Sequence, residues 1–269
     1  MWVCETCGVE HARAVGVCAI CADERQWVPA DGQKWASLDE LARAGRRVRI
    51  AELEPDLFGM TVEPKVGIGQ QTHVVRTIAG NLLWDPVGYL DQPAVDAVGA
   101  LGEVTAVAAS HPHMFGVQVE WSKALGGVPV LVSEADVDWV KRPDPAITTW
   151  SERYEVAPGL TLHQLGGHFP GSSVLHWAAG AGGRGVLLVS DTIHANPDRA
   201  TVTFLRSYPN RIPLSPAVVE RITQAVTQLP FDRLYDNFGR TIDAGAAAAV
   251  GRSATRYSGW ARGDFDQST

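Results

Sequence analysis

The stretch Gly166-Gly167-His168-Phe169-Pro170-Gly171-Ser172 follows a predicted strand at 160–165 and sets one histidine among glycines. Glycine permits a positive φ and a close approach of the backbone to a ligand. Two further segments are arranged alike, because Ser110-His111-Pro112-His113 and Ser190-Asp191 also follow short apolar, β-rich runs. Since strand ends can direct imidazoles and a carboxylate to one point, this pattern predicts a metal site.

His111 and His113 form a pair for which the spacing itself is informative. They stand at positions i and i+2 of a segment that we predict to be extended, so both imidazoles would point to the same side. Pro112 between them restricts the backbone. A single histidine is more often a hydrogen-bonded core residue, but two in phase after a buried strand favour metal ligation.

The ordered set H-x-H, G-H-x-P-G-S and S-D-T resembles the metallo-β-lactamase fold superfamily, from about Arg47 to the last residue. Members of that superfamily mostly hydrolyse esters, thioesters, lactones, amides or phosphodiesters with bound zinc, manganese or iron. The resemblance implies an α/β (α+β) fold, a four-layer αβ/βα sandwich. It also implies that His168 binds metal and that Asp191 is the carboxylate ligand.

The resulting ligand set is His111, His113, His168 and Asp191. Three nitrogens and one oxygen suit one divalent cation with an open position, Zn²⁺ first, with Fe²⁺ or Mn²⁺ as alternatives. In the family motif H-x-H-x-D-H, the Asp and the third His correspond to Phe115 and Gly116 here, and no histidine follows His194. We therefore expect a mononuclear centre.

The same loss removes the carboxylate that commonly positions the attacking water in the family. Asp191 is our candidate for that catalytic role, with Asp85 and Glu120 as weaker candidates for the base. Tyr208 and Asn210 lie in a turn-rich segment after a strand, where this fold often places substrate loops. We predict that both line the substrate pocket.

All four cysteines occur in the first 21 residues as two C-x-x-C pairs, Cys4 with Cys7 and Cys18 with Cys21. In a reducing compartment such pairs favour metal over disulfides, and a sulfur-only set suits structural Zn²⁺, with rubredoxin-like iron as the alternative. The segment resembles a zinc ribbon. His11 between the pairs is expected to be exposed, because four thiolates already complete a tetrahedral site.

Length and composition indicate a large domain with a small appendage. The 269 residues are 45% hydrophobic and 20% charged, which is ordinary for a globular protein. We expect a knuckle unit at 1–35 and a metallo-β-lactamase-like domain at 36–269. The net charge of −7 argues against nucleic acid as a partner, and the lack of a signal peptide or of a long apolar run predicts a cytoplasmic protein without membrane contact.

Apolar periodicity predicts the following elements. Strands are expected at 48–53, 57–62, 73–78, 81–84, 104–109, 128–132, 160–165, 173–177, 186–189 and 201–205, and helices at 94–99, 114–125, 134–140, 216–229 and 244–257.

Three functions remain open from the sequence. The first is a metal-dependent hydrolase of a small ester-, thioester- or lactone-like substrate. The second is a mononuclear iron oxygenase or other redox enzyme, since two histidines and one carboxylate can form a facial triad. The third is a non-catalytic metal-binding homologue, which the loss of the second-metal ligands makes credible.

Overall fold

The computed structural model describes residues 1–269 and contains three larger sheets and two short ribbons. The strands are β1 Trp2–Cys4, β2 Glu10–His11, β3 Trp35–Ala36, β4 Arg47–Glu54, β5 Leu57–Glu63, β6 Thr72–Val75, β7 Asn81–Trp84, β8 Val104–Ala108, β9 Val130–Ser133, β10 Ile147–Trp150, β11 Arg153–Ala157, β12 Leu160–Gln164, β13 Ser173–Trp177, β14 Val186–Leu188, β15 His194–Ala195, β16 Val202–Thr203, β17 Leu205–Ser207, β18 Ile212–Pro213, β19 Arg233–Tyr235 and β20 Thr241–Ile242.

The helices are α1 Ala19–Ala22, α2 Leu38–Arg43, α3 Gln92–Ala100, α4 Gln118–Ala124, the single turn α5 Gly180–Gly183, α6 Pro216–Val226 and α7 Ala246–Arg262, with 3₁₀ turns at Pro112–Met114, Glu134–Trp139 and Asp266–Ser268. Side-chain caps define several starts. Ser37 and Glu40 form a capping box on α2, and Ser215 accepts a backbone hydrogen bond at the start of α6. No helix combines the length and apolar character needed to cross a bilayer.

Two of the sheets form the centre of the molecule. The seven-stranded sheet has the order β10-β9-β8-β7-β6-β5-β4, and the six-stranded sheet has the order β11-β12-β13-β14-β19-β20. Strands β7 to β10 run parallel, whereas β4 to β7 form an antiparallel meander. In the second sheet β14 and β19 are parallel and the other pairs are antiparallel.

Alternation along the strands builds the layers. On β7, Leu82 and Trp84 face the core between the two sheets, while Leu83 joins the cluster on the outer face of the first sheet. On β13, Leu175 faces the same central core and Val174 faces the cluster that α6 and α7 cover. This period of two places helices outside both sheets and confirms the predicted four-layer αβ/βα sandwich.

Most predicted elements are present, and Asn81–Trp84 and Ser173–Trp177 match at both ends. The strands Ile147–Trp150 and Arg153–Ala157 were not predicted, because their outer positions are partly exposed and carry no continuous apolar run. The prediction of an extended segment through His113 is wrong: His111 is extended, but Pro112–Met114 forms a 3₁₀ turn.

The N-terminal cysteine unit packs closely on the sandwich. One buried cluster contains the four cysteines together with Met60, Val107 and Trp121 of the main body. Backbone contacts add to it, since a Cβ on Gly67 would lie 2.5 Å from the nitrogen of Gly8. The division at residues 35 and 36 stays a prediction, because the hydrophobic cluster is continuous across it.

His73 on β6 is a buried histidine remote from the predicted ligands. Neither ring nitrogen has a hydrogen-bond partner, and burial lowers the pKa of His73 to about 3. In the unfolded chain His73 therefore binds a proton near pH 6.5, whereas in the folded chain it does so only near pH 3. Stability from this residue is present above pH 6.5 and falls as the pH drops through that window.

We predict that His73→Leu flattens the acid dependence of stability. Each such histidine contributes a slope of up to about 1.4 kcal/mol per pH unit, and the variant should lose about that slope between pH 6.5 and 3. Urea unfolding at several pH values measures it. An unchanged slope would show that His73 is protonated, or hydrated, in the folded protein.

Candidate functional site

The two C-x-x-C pairs converge on one point. Their four sulfur atoms lie within 4.8 Å of one another, with 3.5 Å between Cys4 and Cys21 and 3.9 Å between Cys7 and Cys18. A tetrahedral zinc–thiolate site with Zn–S bonds of about 2.3 Å has sulfur separations of about 3.8 Å. The four cysteines are unpaired and buried, so this group fits a tetrahedral metal ion.

His11 lies against this group, and its predicted exposure is wrong. It is 4% exposed, packs edge-on against Trp35 and places Nε2 3.4 Å from the Sγ of Cys18. On the other side, Gln33 donates from Nε2 to the Sγ of Cys4 at 2.9 Å. Thiolates that share a cation still accept hydrogen bonds from a second layer of donors, and this is the role open to His11.

The predicted central ligands also meet. Donor atoms of His111, His113, His168 and Asp191 lie within 4.8 Å of one another, and all four residues are buried. Asp191 Oδ2 is 3.4 Å from His111 Nε2 and 3.8 Å from His168 Nε2. His168 Nε2 lies 3.1 Å from His113 Nδ1. Such spacing is that of ligands around a single ion.

Loops at the seam between the sheets place these side chains. His111 and His113 follow β8, His168 lies in the loop between β12 and β13, and Asp191 follows β14. The loops are joined directly, because the backbone nitrogen of Ser173 donates to the carbonyl oxygen of Ser110 at 3.0 Å. The positive φ of Gly166 and Gly167 allows the chain to turn beside His168.

Hydrogen bonds fix which ring nitrogen faces the centre. Ser110 Oγ donates to Asp85 and so accepts from Nδ1 of His111 at 2.8 Å, which leaves a lone pair on Nε2. His168 Nδ1 donates to the carbonyl of Leu205 at 3.3 Å, with the same consequence. Both Nε2 atoms thus present a lone pair near Asp191 Oδ2, and His113 Nδ1, 3.1 Å from His168 Nε2, is the ring nitrogen that can donate there.

Burial keeps His113 and His168 neutral. It lowers the pKa of His168 to about 3 and the pKa of His113 well below its ordinary value, and neighbouring imidazoles add to both effects. Burial would raise the pKa of Asp191, but the imidazoles around it, His111 foremost, lower it below the ordinary value. Asp191 is therefore ionised beside the neutral rings of His113 and His168, which is the state a divalent cation requires.

Buried polar atoms without hydrogen-bond partners indicate whether the central group can hold a metal ion. His111 Nε2, His113 Nε2 and Asp191 Oδ1 are buried and have no hydrogen-bond partner. A buried polar atom without a partner costs about 1–3 kcal/mol. A cation among the ligands would offset that cost for His111, and the residues present therefore fit one metal ion.

The other candidate residues from the sequence lie outside the group of four ligands. Asp85 is not a base at the centre: it is fully buried beneath His111 and accepts from Ser110 and from Asn237. Glu120 forms an ion pair with Arg142. Tyr208 lines a cavity beside Asp191, and its hydroxyl donates to the Asp191 carbonyl at 3.1 Å.

Asn210 does not line that cavity, which corrects its predicted role. Its exposed side-chain amide donates to the carbonyl oxygens of Glu24 and Gln26 at 2.8 and 3.0 Å, and it anchors the N-terminal unit to the sandwich. His194 does line the cavity, with its ring between Tyr208 and Phe238. No sequence motif separates the two cases, since Asn210 lies in the turn between β17 and β18 and His194 begins the two-residue strand β15.

Arg25 is a site residue that no sequence signal revealed. It follows Cys21 by four positions, is 6% exposed and stacks its guanidinium 3.6 Å from the ring centre of Phe169. It also donates to the carbonyl oxygen of His168 at 3.2 Å. One residue of the cysteine unit thereby holds the loop that carries a central ligand.

The two positions that correspond to second-metal ligands in the family motif are packed away from the central group. Phe115 is buried in the cluster under the first sheet, and Gly116 has φ +48° with its Cα turned towards Pro86. A Cβ at Gly116 would lie 2.0 Å from the Pro86 carbonyl oxygen, so no larger side chain fits there. The mononuclear centre stays a prediction.

Comparison with known proteins places the fold. The chain resembles the solved structures of VMB-1 (TM-score 0.60, 12% identity, 80% of this chain and 98% of that one) and DIM-1 metallo-beta-lactamase (0.58, 12%, 78% and 97%). It also resembles the chemotaxis sensor ODP, solved with a peroxy diiron species (0.53, 15%, 79% and 94%). At sequence identities this low, the structural similarity establishes the fold alone.

The chain is thus a metallo-β-lactamase-fold protein with a four-cysteine knuckle near its N-terminus. No protein-family model matches it. It belongs to the same family as the uncharacterized protein YmaE of Bacillus subtilis (strain 168), with which it shares 43% identity over 261 residues, 95% of each chain.

We predict that Gly116→Ala destabilises the protein by at least about 2 kcal/mol, because left-handed backbone and a steric clash add together. Urea unfolding measures this. Gly245→Ala is the matched control, since Gly245 has φ +64° but no atom within 4 Å of its added Cβ. Equal losses of stability in the two variants would show that the contact with Pro86 adds nothing to the cost of the left-handed backbone.

We predict that Arg25→Ala weakens metal binding at the central group about 10-fold, as removal of supports behind metal ligands commonly does. Competition with a chromophoric chelator measures the affinity. Arg206→Ala, which breaks the exposed pair with Glu24, serves as control. A drop in melting temperature with unchanged central affinity would reduce Arg25 to a structural contact.

Proposed function

We propose that the protein is a metal-dependent hydrolase of a small ester-, thioester- or lactone-like molecule. The observation that carries the proposal is the convergence of His111, His113, His168 and Asp191 within 4.8 Å, with acceptor atoms facing one another. One divalent cation, zinc in first place, suits this set. The fold is one that hydrolases such as DIM-1 metallo-beta-lactamase use.

A cation held there supplies a Lewis acid that polarises a carbonyl group and acidifies water. The protein's own residues would do the rest. Asp191 lines the cavity; its Oδ2 faces the histidines, while Oδ1 lies 4.0 Å from His194 Nδ1 and has no hydrogen bond. Because the pKa of Asp191 is lowered, it stays ionised, and Oδ1 can orient a water molecule towards a substrate.

The chain also holds Asp191 in place. The backbone φ of Ser190 is +48°, a conformation that favours glycine and turns the chain directly before the acid. The Tyr208 hydroxyl donates to the carbonyl of Asp191, and its ring packs beside His194 at 4.7 Å. A carboxylate fixed from both sides loses little freedom when a substrate binds.

The remaining parts of the proposal follow from the same sites. The cysteine group would hold a structural zinc ion, and the unit at 1–35 would support the domain at 36–269. A cavity of about 360 Å³ beside Asp191 fits a small-molecule substrate. The net charge of −7 leaves nucleic acid an unfavourable partner, and we place the protein in the cytoplasm.

Elemental analysis and a panel of generic esters, thioesters and lactones test the proposal. The protein should carry one ion at the cysteines and one at the central group, and His168→Ala should lose the second ion and at least about 100-fold in kcat/KM. His163→Ala is the matched control, because His163 lies on β12 outside the group.

Three results would contradict this function. Equal turnover in His168→Ala would remove the catalytic claim. A third ion per chain would overturn the mononuclear centre. Iron with a visible absorption band, and substrate oxidation in place of hydrolysis, would favour the oxygenase.

A further inference from the structure

The cavity beside Asp191 is lined by large apolar side chains and by two cations. Besides Asp191, His194 and Tyr208, three further parts of the chain form its walls: Trp27 of the N-terminal unit, Lys65 and Ile68 between β5 and β6, and Phe238 and Arg240 after β19. Trp27 is 45% exposed and Phe238 36% exposed. Large apolar side chains left open around a cavity of this size indicate a ligand with an apolar body.

Two cations also face the cavity without a carboxylate partner. Lys65 is exposed and makes no ion pair, and Arg240 makes none within 4.0 Å although it is half-buried. Neither nearby acid lies within 4.0 Å of Arg240, although Asp236 Oδ2 has no hydrogen-bond partner. Asp191 belongs to the central group, and Asp236 accepts on Oδ1 from the backbone nitrogens of Phe238 and Arg240. In a chain of net charge −7, such a pair is a local positive site.

The Arg240 side chain is held in place by His194. Its Nη1 lies 2.8 Å from His194 Nε2, and since a guanidinium can only donate, Nε2 must be the acceptor. Asp236 Oδ2 lies 3.6 Å from the same nitrogen. The proton of His194 is then on Nδ1, which points towards Asp191. Arg240 keeps its other donors for a ligand, and its planar fork matches a carboxylate, phosphate or sulfonate.

We propose that the substrate is a small anion with an apolar body. Its negative group would lie between Lys65 and Arg240, and its apolar part would pack on Trp27, Ile68 and Phe238. This places the bond to be cleaved towards Asp191. The proposal rests on the hydrolase function above and names its substrate class. It also makes the N-terminal cysteine unit one wall of the substrate site.

Paired substrates test the charge preference. The aryl thioester of glutaric acid carries a free carboxylate, and its terminal carboxamide is a neutral analogue of nearly the same shape. The wild-type protein should prefer the anion at least about 10-fold in kcat/KM, and Arg240→Met or Lys65→Met should lower that preference about 10-fold, mainly through KM. Arg240→Glu should reverse it.

Arg153→Met is the matched control, because Arg153 is an exposed cation on the edge strand β11 and does not line the cavity. It should leave the preference unchanged. Equal kcat/KM for the two thioesters in the wild-type protein would overturn the anion site while the hydrolase function stands.

Binding without turnover gives an independent readout. Calorimetry with the metal-loaded full chain should show benzenesulfonate, a weak metal ligand, binding at least about 5-fold more tightly than neutral methyl phenyl sulfone. Lys65→Met should abolish that difference, and Trp27→Ala should weaken both compounds. Charge-selective binding in a protein that hydrolyses nothing would support the anion site and overturn the hydrolase. Equal binding of the two compounds would overturn the anion site.

Discussion

The central structural constraint is a set of buried acceptors that face one another. Asp191 Oδ2 lies 3.4 Å from His111 Nε2 and 3.8 Å from His168 Nε2 at the seam of two sheets, and the hydrogen bonds at Nδ1 make both Nε2 atoms acceptors. Repulsion among such lone pairs favours separation of the loops unless a cation is present. The sandwich tolerates the arrangement because backbone bonds and close glycine packing hold the loops from behind. Folding and metal binding at this seam are therefore coupled.

The cysteine unit is part of the same construction. Its sulfurs belong to the hydrophobic cluster under the first sheet, its Arg25 reaches the His168 loop, and its Trp27 closes the cavity. Asn210 and Ser207 hold the connecting segment through backbone carbonyls. A unit of this size has little core of its own, and these contacts compensate for that. The cysteine unit thus contributes to the geometry of the central group through Arg25.

The sequence predicted the elements that depend on local rules. Alternation identified the buried strands, paired C-x-x-C spacing identified the sulfur group, and histidines after strands identified central ligand positions. Prediction from the sequence failed at positions whose environment is determined by tertiary packing. His11 is buried because a thiolate and Trp35 offer it a place, and Asn210 binds a segment that is distant in sequence. Arg25 has no local signature, since its partners Phe169 and His168 lie over 140 residues away. Long-range contacts of this kind leave no trace in spacing or composition.

The segment after His113 shows how the two metal groups are linked. In the family resemblance this segment would carry ligands of a second ion. Here Phe115 joins the cluster that contains the cysteines, and the carbonyl of Gly116 accepts from the backbone nitrogen of Glu10 at 2.8 Å. Glu10 in turn accepts from the nitrogen of Val119 at 2.6 Å. One stretch of chain cannot both point ligands inward and bind the N-terminal unit outward. The contacts of Phe115 and Gly116 therefore belong to the docking of the N-terminal unit.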